Sequence, residues 1–202
     1  MKKHLFPLIL LSIYLIFFVW SAINPVDVSV WRVEAITSAI SVIVLLVLFL
    51  FKVRFSNFAY LLCVIFPIMH IIGAHYTFAN VPFSWFDNLI GSTRDMYDRV
   101  AHASVGLYSF LIMESLLKYK LVNKKWIAYT YAIFFIMALA MSYELFEWQY
   151  AVSVNPTAGI EVLGSQGDIW DAQKDMLMDT MGALLGFVLF LFSGSKFYHN
   201  KK

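Results

Sequence analysis

A single cysteine in 202 residues, Cys63, leaves no partner for a disulfide and no ligand set for a cysteine-rich zinc module. Charge is scarce too: Asp, Glu, Lys and Arg make up 14% of the chain, against about 25% in a soluble globular domain. The net formal charge of +2 is too small to attract nucleic acid, so no nucleic-acid partner is expected. Internal repeats and low-complexity tracts are missing, and with them the solenoid and tail architectures. The tight zinc spacing H-E-x-x-H is also missing, which excludes the best-marked class of metalloprotease.

Apolar residues are abundant. They form 61% of the chain, and at about 20 residues per membrane crossing that is material for about six helical spans and no appended soluble domain. Runs with almost no charge cover residues 5–23, 31–51, 55–73, 100–117, 126–146 and 176–192. The expected fold is therefore all-α: one polytopic membrane domain over residues 1–202 with six transmembrane helices. The first run follows Lys2 and Lys3, but its apolar stretch is longer than the roughly 7–15 residues of a signal-peptide core, so it reads as a retained anchor.

Orientation follows from the basic residues. With the N-terminus inside, 11 of the 15 Lys and Arg fall in cytoplasmic segments, and only Arg32, Arg94, Arg99 and Lys174 fall outside. Both termini are thus expected in the cytoplasm. Every acid except Glu114 lies in, or at helix ends beside, the outer segments, while Glu114 reads as interfacial.

Ionisable groups in membrane helices are costly, so each is a candidate site residue. The third span ends with His70 and His75; five residues apart they point about 140° apart, and share a site only if the helix breaks near Gly73. Pro67 one turn earlier bends that helix and frees a carbonyl. Ser92 is placed to cap the fourth helix, with Asp95 at its third position. Asp98 and His102 then share a face, with Arg94 one turn before them. Glu144 and Glu147 are neighbours on the fifth span. Asp171, Asp175 and Asp179 form an i, i+4, i+8 stripe on the sixth, with Asp179 about 12 Å deeper than Asp171. Gly182 and Gly186 below them form a small-xxx-small surface for close helix approach. The topology thus gathers His70, His75, Asp98, Arg99, His102, Glu144, Glu147, Asp175 and Asp179 into one slab near the outer surface.

YDRVAH (97–102), GDIWDAQKDMLMDTMGA (167–183) and the histidine pair after span three make the whole chain resemble the YjdF family of uncharacterised bacterial inner-membrane proteins. That resemblance implies an inner-membrane, multi-pass protein and brings no settled activity. Asp98-Arg99-Val100-Ala101-His102 is also similar to the D-[KR]-x-x-H segment of VanZ-like membrane proteins. Asp175 to Gly186 is similar to their D-x-x-x-N-x-x-G-x-x-x-G helix, with Asp179 in place of Asn. Glu144 and Glu147 stand where that group has E-x-x-Q, with Glu147 in place of Gln. VanZ-like proteins are associated with glycopeptide resistance and the cell envelope, so this second resemblance implies an envelope lipid or lipid-linked substrate.

Three functions fit the slab. The first is a metal-dependent hydrolase or transferase on an envelope lipid or lipid-linked, phosphate-bearing substrate. Its divalent ion, best zinc, would take His70 and His102 as nitrogen ligands and Asp175 or Asp179 as oxygen ligand. In it Glu147 is the general base, Arg99 a phosphate holder, and Glu144 and Asp98 further catalytic candidates. The second is a proton-linked transporter or flippase, in which a homodimer would supply the half that a single copy lacks. The third is a non-catalytic binding or assembly protein whose slab is a structural network, with Arg99 a counter-ion to Glu144 or Glu147. The glycine-bearing segment 149–170 reads equally as a lid over the slab and as a plain loop.

Overall fold

A computed structural model describes residues 5–153 and 165–194. Among the described residues every regular element is a helix. These are α1 (Leu5–Ser21), α2 (Val28–Leu50), α3 (Asn57–Tyr76), α4 (Ser84–Ile90), α5 (Tyr97–Gly106), α6 (Tyr108–Lys118), α7 (Lys125–Ser153) and α8 (Asp171–Leu189), which runs into a wide π turn, Phe190–Gly194. Of the expected lid, residues 154–164 lie outside the described part; residues 149–153 belong to α7.

Among the described residues, five stretches are long and apolar enough to cross a membrane: Val28–Leu50, Asn57–Tyr76, Tyr97–Lys118, Lys125–Ser153 and Asp171–Ser193. Their outward faces are apolar as well. Ile36 on α2 and Phe134 on α7 are 61% and 65% exposed, a cost that hydrocarbon surroundings remove. α1 is shorter, at 17 residues, because Asn24 takes a left-handed conformation (φ 52°) and Pro25 follows it.

Other helix ends depart from the expected ones for local reasons. Ser92 does not cap the fourth span: its hydroxyl closes a turn on Arg94, while Asp95 accepts from the Tyr97 amide (2.8 Å) and Asp87 from the Met96 amide (3.0 Å). The fourth span starts at Tyr97 and is divided at Leu107, whose amide turns to Ser104 in a tighter 3₁₀-type bond. α3 continues past Gly73 to Tyr76 and stops on the left-handed Thr77, so the two histidines stay on different sides. His75 donates from Nδ1 to the Ser21 carbonyl (3.0 Å) and lies against the Trp20 ring, tying α3 to the end of α1. Pro67 has no N–H to offer the Cys63 carbonyl, and the Tyr108 hydroxyl donates to that oxygen instead (2.8 Å). Glu114, at the other end of the spans, is buried by protein. It accepts from the amide and hydroxyl of Ser56, the α3 N-cap, at 2.7 and 2.6 Å.

The closest pairing in the fold is α5 with α8. A methyl group on Gly182 would overlap the Ala103 carbonyl, one on Gly106 the backbone from Asp179 to Ala183, and one on Gly186 the Ser109 hydroxyl. Small residues thus let the two backbones touch. An apolar core of Phe55, Cys63, Phe110, Met113 and Phe190 fills the end near Glu114, and the ionisable groups collect at the other.

Candidate functional site

Touching backbones bring the α8 aspartates onto α5. His102 Nδ1 lies 3.0 Å from Asp179 Oδ2 and donates to that carboxylate, which leaves Nε2 as the ring nitrogen turned toward the other acids. Nε2 faces Asp98 Oδ1 at 3.7 Å and Asp175 Oδ1 at 3.9 Å. One ligand atom from each of Asp98, His102 and Asp175 lies within 4.8 Å of the others. Donors about 2.1 Å from a shared ion stand at most about 4.2 Å apart, so both Nε2 separations are within the reach of one zinc-sized cation.

Arg99, 3% exposed, turns away from Glu144 and Glu147 toward α8. It pairs with Asp175 and, at 2.5 Å, with Asp171 Oδ1, and it donates to the Asp171 carbonyl. Arg94 joins the same Asp171 oxygen at 2.6 Å. The chain leading into α8 is fastened to the chain leading into α5: Gln166 exchanges two hydrogen bonds with the backbone of Asp95. Outside the spans, burial pushes the Asp95 carboxyl above the usual range. The Asp168 carboxyl is held below it, first by the Lys174 ammonium at 2.6 Å and then by the Trp170 amide.

His70 is not in the ligand cluster. Its Nε2 stands 2.9 Å from Glu34 Oε2, close enough for an ion pair although off hydrogen-bond alignment. Tyr143 donates to the same Glu34 oxygen at 2.9 Å. The Tyr143 ring lies 6.2 Å from both His70 and His102, so this tyrosine neighbours the two histidines. Phe78 closes over His70 from the other side, folded back onto Gly73, where a Cβ would meet the ring at 2.5 Å.

Glu34 and Tyr143 were not among the sequence candidates. Glu34 lies nearly two turns into α2, near enough to its start to pass for an end residue, yet it is 1% exposed. The signal was the polar stripe Glu34, Ser38, Ser41 at helical spacing in an otherwise apolar run. Glu144 and Glu147 are both buried on α7, and Glu144 Oε1 and Asp179 Oδ1 have no hydrogen-bond partner among the described residues. Glu147 faces a cavity of about 500 Å³ whose polar end also exposes His70, Asp98, His102 and Tyr143. Buried carboxylates outnumber the buried guanidinium and imidazoles, so the site as arranged favours a cation or bound protons.

These features define a helical multi-pass membrane protein with a buried acid and histidine site at one end of its spans. A family model described as "Predicted membrane protein (DUF2238)" matches residues 6–196, and the chain belongs to that family. It is 31% identical over 191 residues to a protein of Escherichia coli (strain K12) called "Inner membrane protein YjdF", covering 91% of this chain and 90% of the other. It is accordingly a multi-pass protein of the bacterial inner membrane. No solved structure matches it.

Proposed function

We propose that the chain is a metal-dependent hydrolase or transferase acting on an envelope lipid or lipid-linked substrate at the outer face of the inner membrane. The observation that carries this reading is His102: one ring nitrogen is held by Asp179, and the other is aimed at Asp98 and Asp175. A carboxylate on the far nitrogen is how metal-bound imidazoles are oriented and kept basic. In this reading Asp98, His102 and Asp175 hold zinc and leave a position open for water, and Asp179 orients His102. Glu147, facing the cavity, is the base that takes a proton from that water. Arg99 holds Asp175 in place, a role its ion pairs support better than phosphate binding. His70 belongs with Glu34 and Tyr143 rather than with the metal.

The orientation rests on the basic residues, and the sixth span on α1, whose 17 residues reach about 26 Å, just short of the hydrocarbon thickness. The likeness to VanZ-like proteins supports an envelope substrate, because the two similar segments, 98–102 and 175–186, are those packed against each other in α5 and α8. The test is elemental analysis of the detergent-purified protein beside His102→Ala and Asp98→Asn. A stoichiometric divalent ion, lost in folded variants, is the expected result. A folded protein that takes up no zinc on incubation overturns the mechanism, and favours the non-catalytic network that Arg99 makes with Asp171 and Asp175.

A further inference from the structure

The cavity that begins at Asp98 and His102 does not end with the polar groups. It continues along α5 and α6 past Val105 to Leu111 and Ile112, and on the α2 side it reaches Leu48. From His102 to Ile112 is ten residues, or about 15 Å along the helix. Beyond its first turn the lining is almost wholly apolar. Such a space does not hold ordered water, which needs several polar partners.

One wall is incomplete. α2 packs on α3, whereas α6 packs on α7 and α8, and α2 has no broad packing with α6 or α7. Across that gap Ile40 and Val44 of α2 face Phe135 and Leu139 of α7. All four line the cavity, and they are 55%, 52%, 46% and 44% exposed. The side of a helix bundle in a bilayer meets hydrocarbon, so the gap opens onto lipid tails. Above it the Tyr143–Glu34 hydrogen bond bridges the same two helices.

We infer that this cavity is a slot for one acyl chain of a membrane lipid, entered sideways between α2 and α7, with the head group at the Asp98–His102 end. A hydrocarbon chain restores the dispersion contacts that an empty apolar space forfeits, and the single polar end fixes which way an amphiphile lies. Its floor at Leu111 and Ile112 limits the chain length accepted. The tail slot stands whether or not a metal binds; only its use as a substrate site rests on the metal reading.

The full chain in phosphatidylethanolamine–phosphatidylglycerol nanodiscs, doped with a phosphatidylethanolamine carrying a photoactivatable diazirine midway along one acyl chain, tests the slot. Adducts are mapped by peptide mass spectrometry. Leu111, 7% exposed, is out of reach of lipid around the protein, so an adduct on it marks a chain inside. Leu139→Trp at the entrance and Val105→Trp in the interior are expected to reduce that adduct about tenfold or more, the effect of about 1.4 kcal/mol lost from binding. Phe134→Trp, on the outer face of α7, is expected to leave it unchanged. Adducts confined to outward residues such as Ile36 and Phe134, or a Leu111 adduct untouched by both entrance and interior variants, overturn the slot. If Val105→Trp fails to fold, Leu139→Trp against Phe134→Trp decides. Competition by unlabelled dodecanoic acid or by unlabelled phosphatidylethanolamine tells a free fatty acid from a phospholipid as the source of the chain. The adduct is expected to persist in folded His102→Ala, so the slot does not depend on the metal; an unsubstituted protein that takes up no zinc yet still labels Leu111 sinks the metal reading and leaves the slot.

Discussion

The Asp179 carboxylate, two turns into α8, lies 3.0 Å from His102 Nδ1 on α5, and it is 1% exposed. An aspartate at that depth has little help from the helix dipole, which fades after the first turn, so its place depends on the imidazole. Asp179→Asn keeps the shape and removes the acceptor charge. The expected outcome is a folded protein with about 10–100-fold weaker zinc binding, measured by titration calorimetry in detergent. Equal affinity in the two proteins would remove Asp179 from the proposed metal site.

Gly182 meets the Ala103 carbonyl where any side chain would stand. Gly182→Ala therefore forces α5 and α8 apart, at a cost of about 1–3 kcal/mol for overpacking a tight contact. A lower melting temperature in detergent is expected, together with weaker His102–Asp179 coupling in a double-mutant cycle. Unchanged melting would mean that the helices are not packed this closely.

Tyr143 donates to Glu34 across the gap between α7 and α2. Tyr143→Phe removes the donor alone, and buried interhelical hydrogen bonds in membranes average about 0.6 kcal/mol. A small loss of stability is expected, and with it more Leu111 labelling if the bond restrains the entrance. Reduced labelling in a folded Tyr143→Phe protein would show that the bond does not act as a restraint.

Asp168 sits among Lys174, Arg94 and Arg99, and its carboxyl is held below the usual range, first by the Lys174 hydrogen bond. A carboxyl lowered on folding contributes stability above its unfolded pKa, and that contribution is lost as pH falls through the lower folded value. Asp95, raised by burial, has the opposite sign: it favours the folded state at low pH and loses that contribution as pH rises through its raised value. Lys174→Gln is expected to flatten the acid side of the melting-temperature profile and leave the Asp95 contribution in place. An unchanged acid limb would show that Lys174 does not set the Asp168 titration.

A reporter fused after Lys202 tests the orientation. Fluorescent protein active in the cytoplasm, and alkaline phosphatase inactive at the same junction, are the expected pair. The reverse pair would place the Asp98–His102–Asp175 cluster at the cytoplasmic face.

Long apolar runs made the spans legible, and the acid stripe with Gly182 and Gly186 marked the face of α8 that meets a neighbour. Helical period reports which residues share a face, but not how one helix is rotated against the next. That is why Arg99, open to pairing with Glu144 or Glu147 by sequence, is found on Asp171 and Asp175. The same limit left Glu34 out of the grouping of His70 with His102, although Glu34 Oε2 lies 2.9 Å from His70 Nε2. The length of α7 was underestimated because Glu144 and Glu147 look like the end of a span, whereas they face inward on a helix that runs on to Ser153.

The glycine seam between α5 and α8 also decides which parts of the molecule are free to move. Backbones in direct contact have no side chains between them to repack, so the half of the cavity wall that carries Asp98, His102 and Asp179 behaves as one fixed block. α2 leans on α3 and is joined to α7 by a tyrosine hydroxyl. A lipid chain entering through the side of the protein would therefore have to displace α2 rather than part the seam.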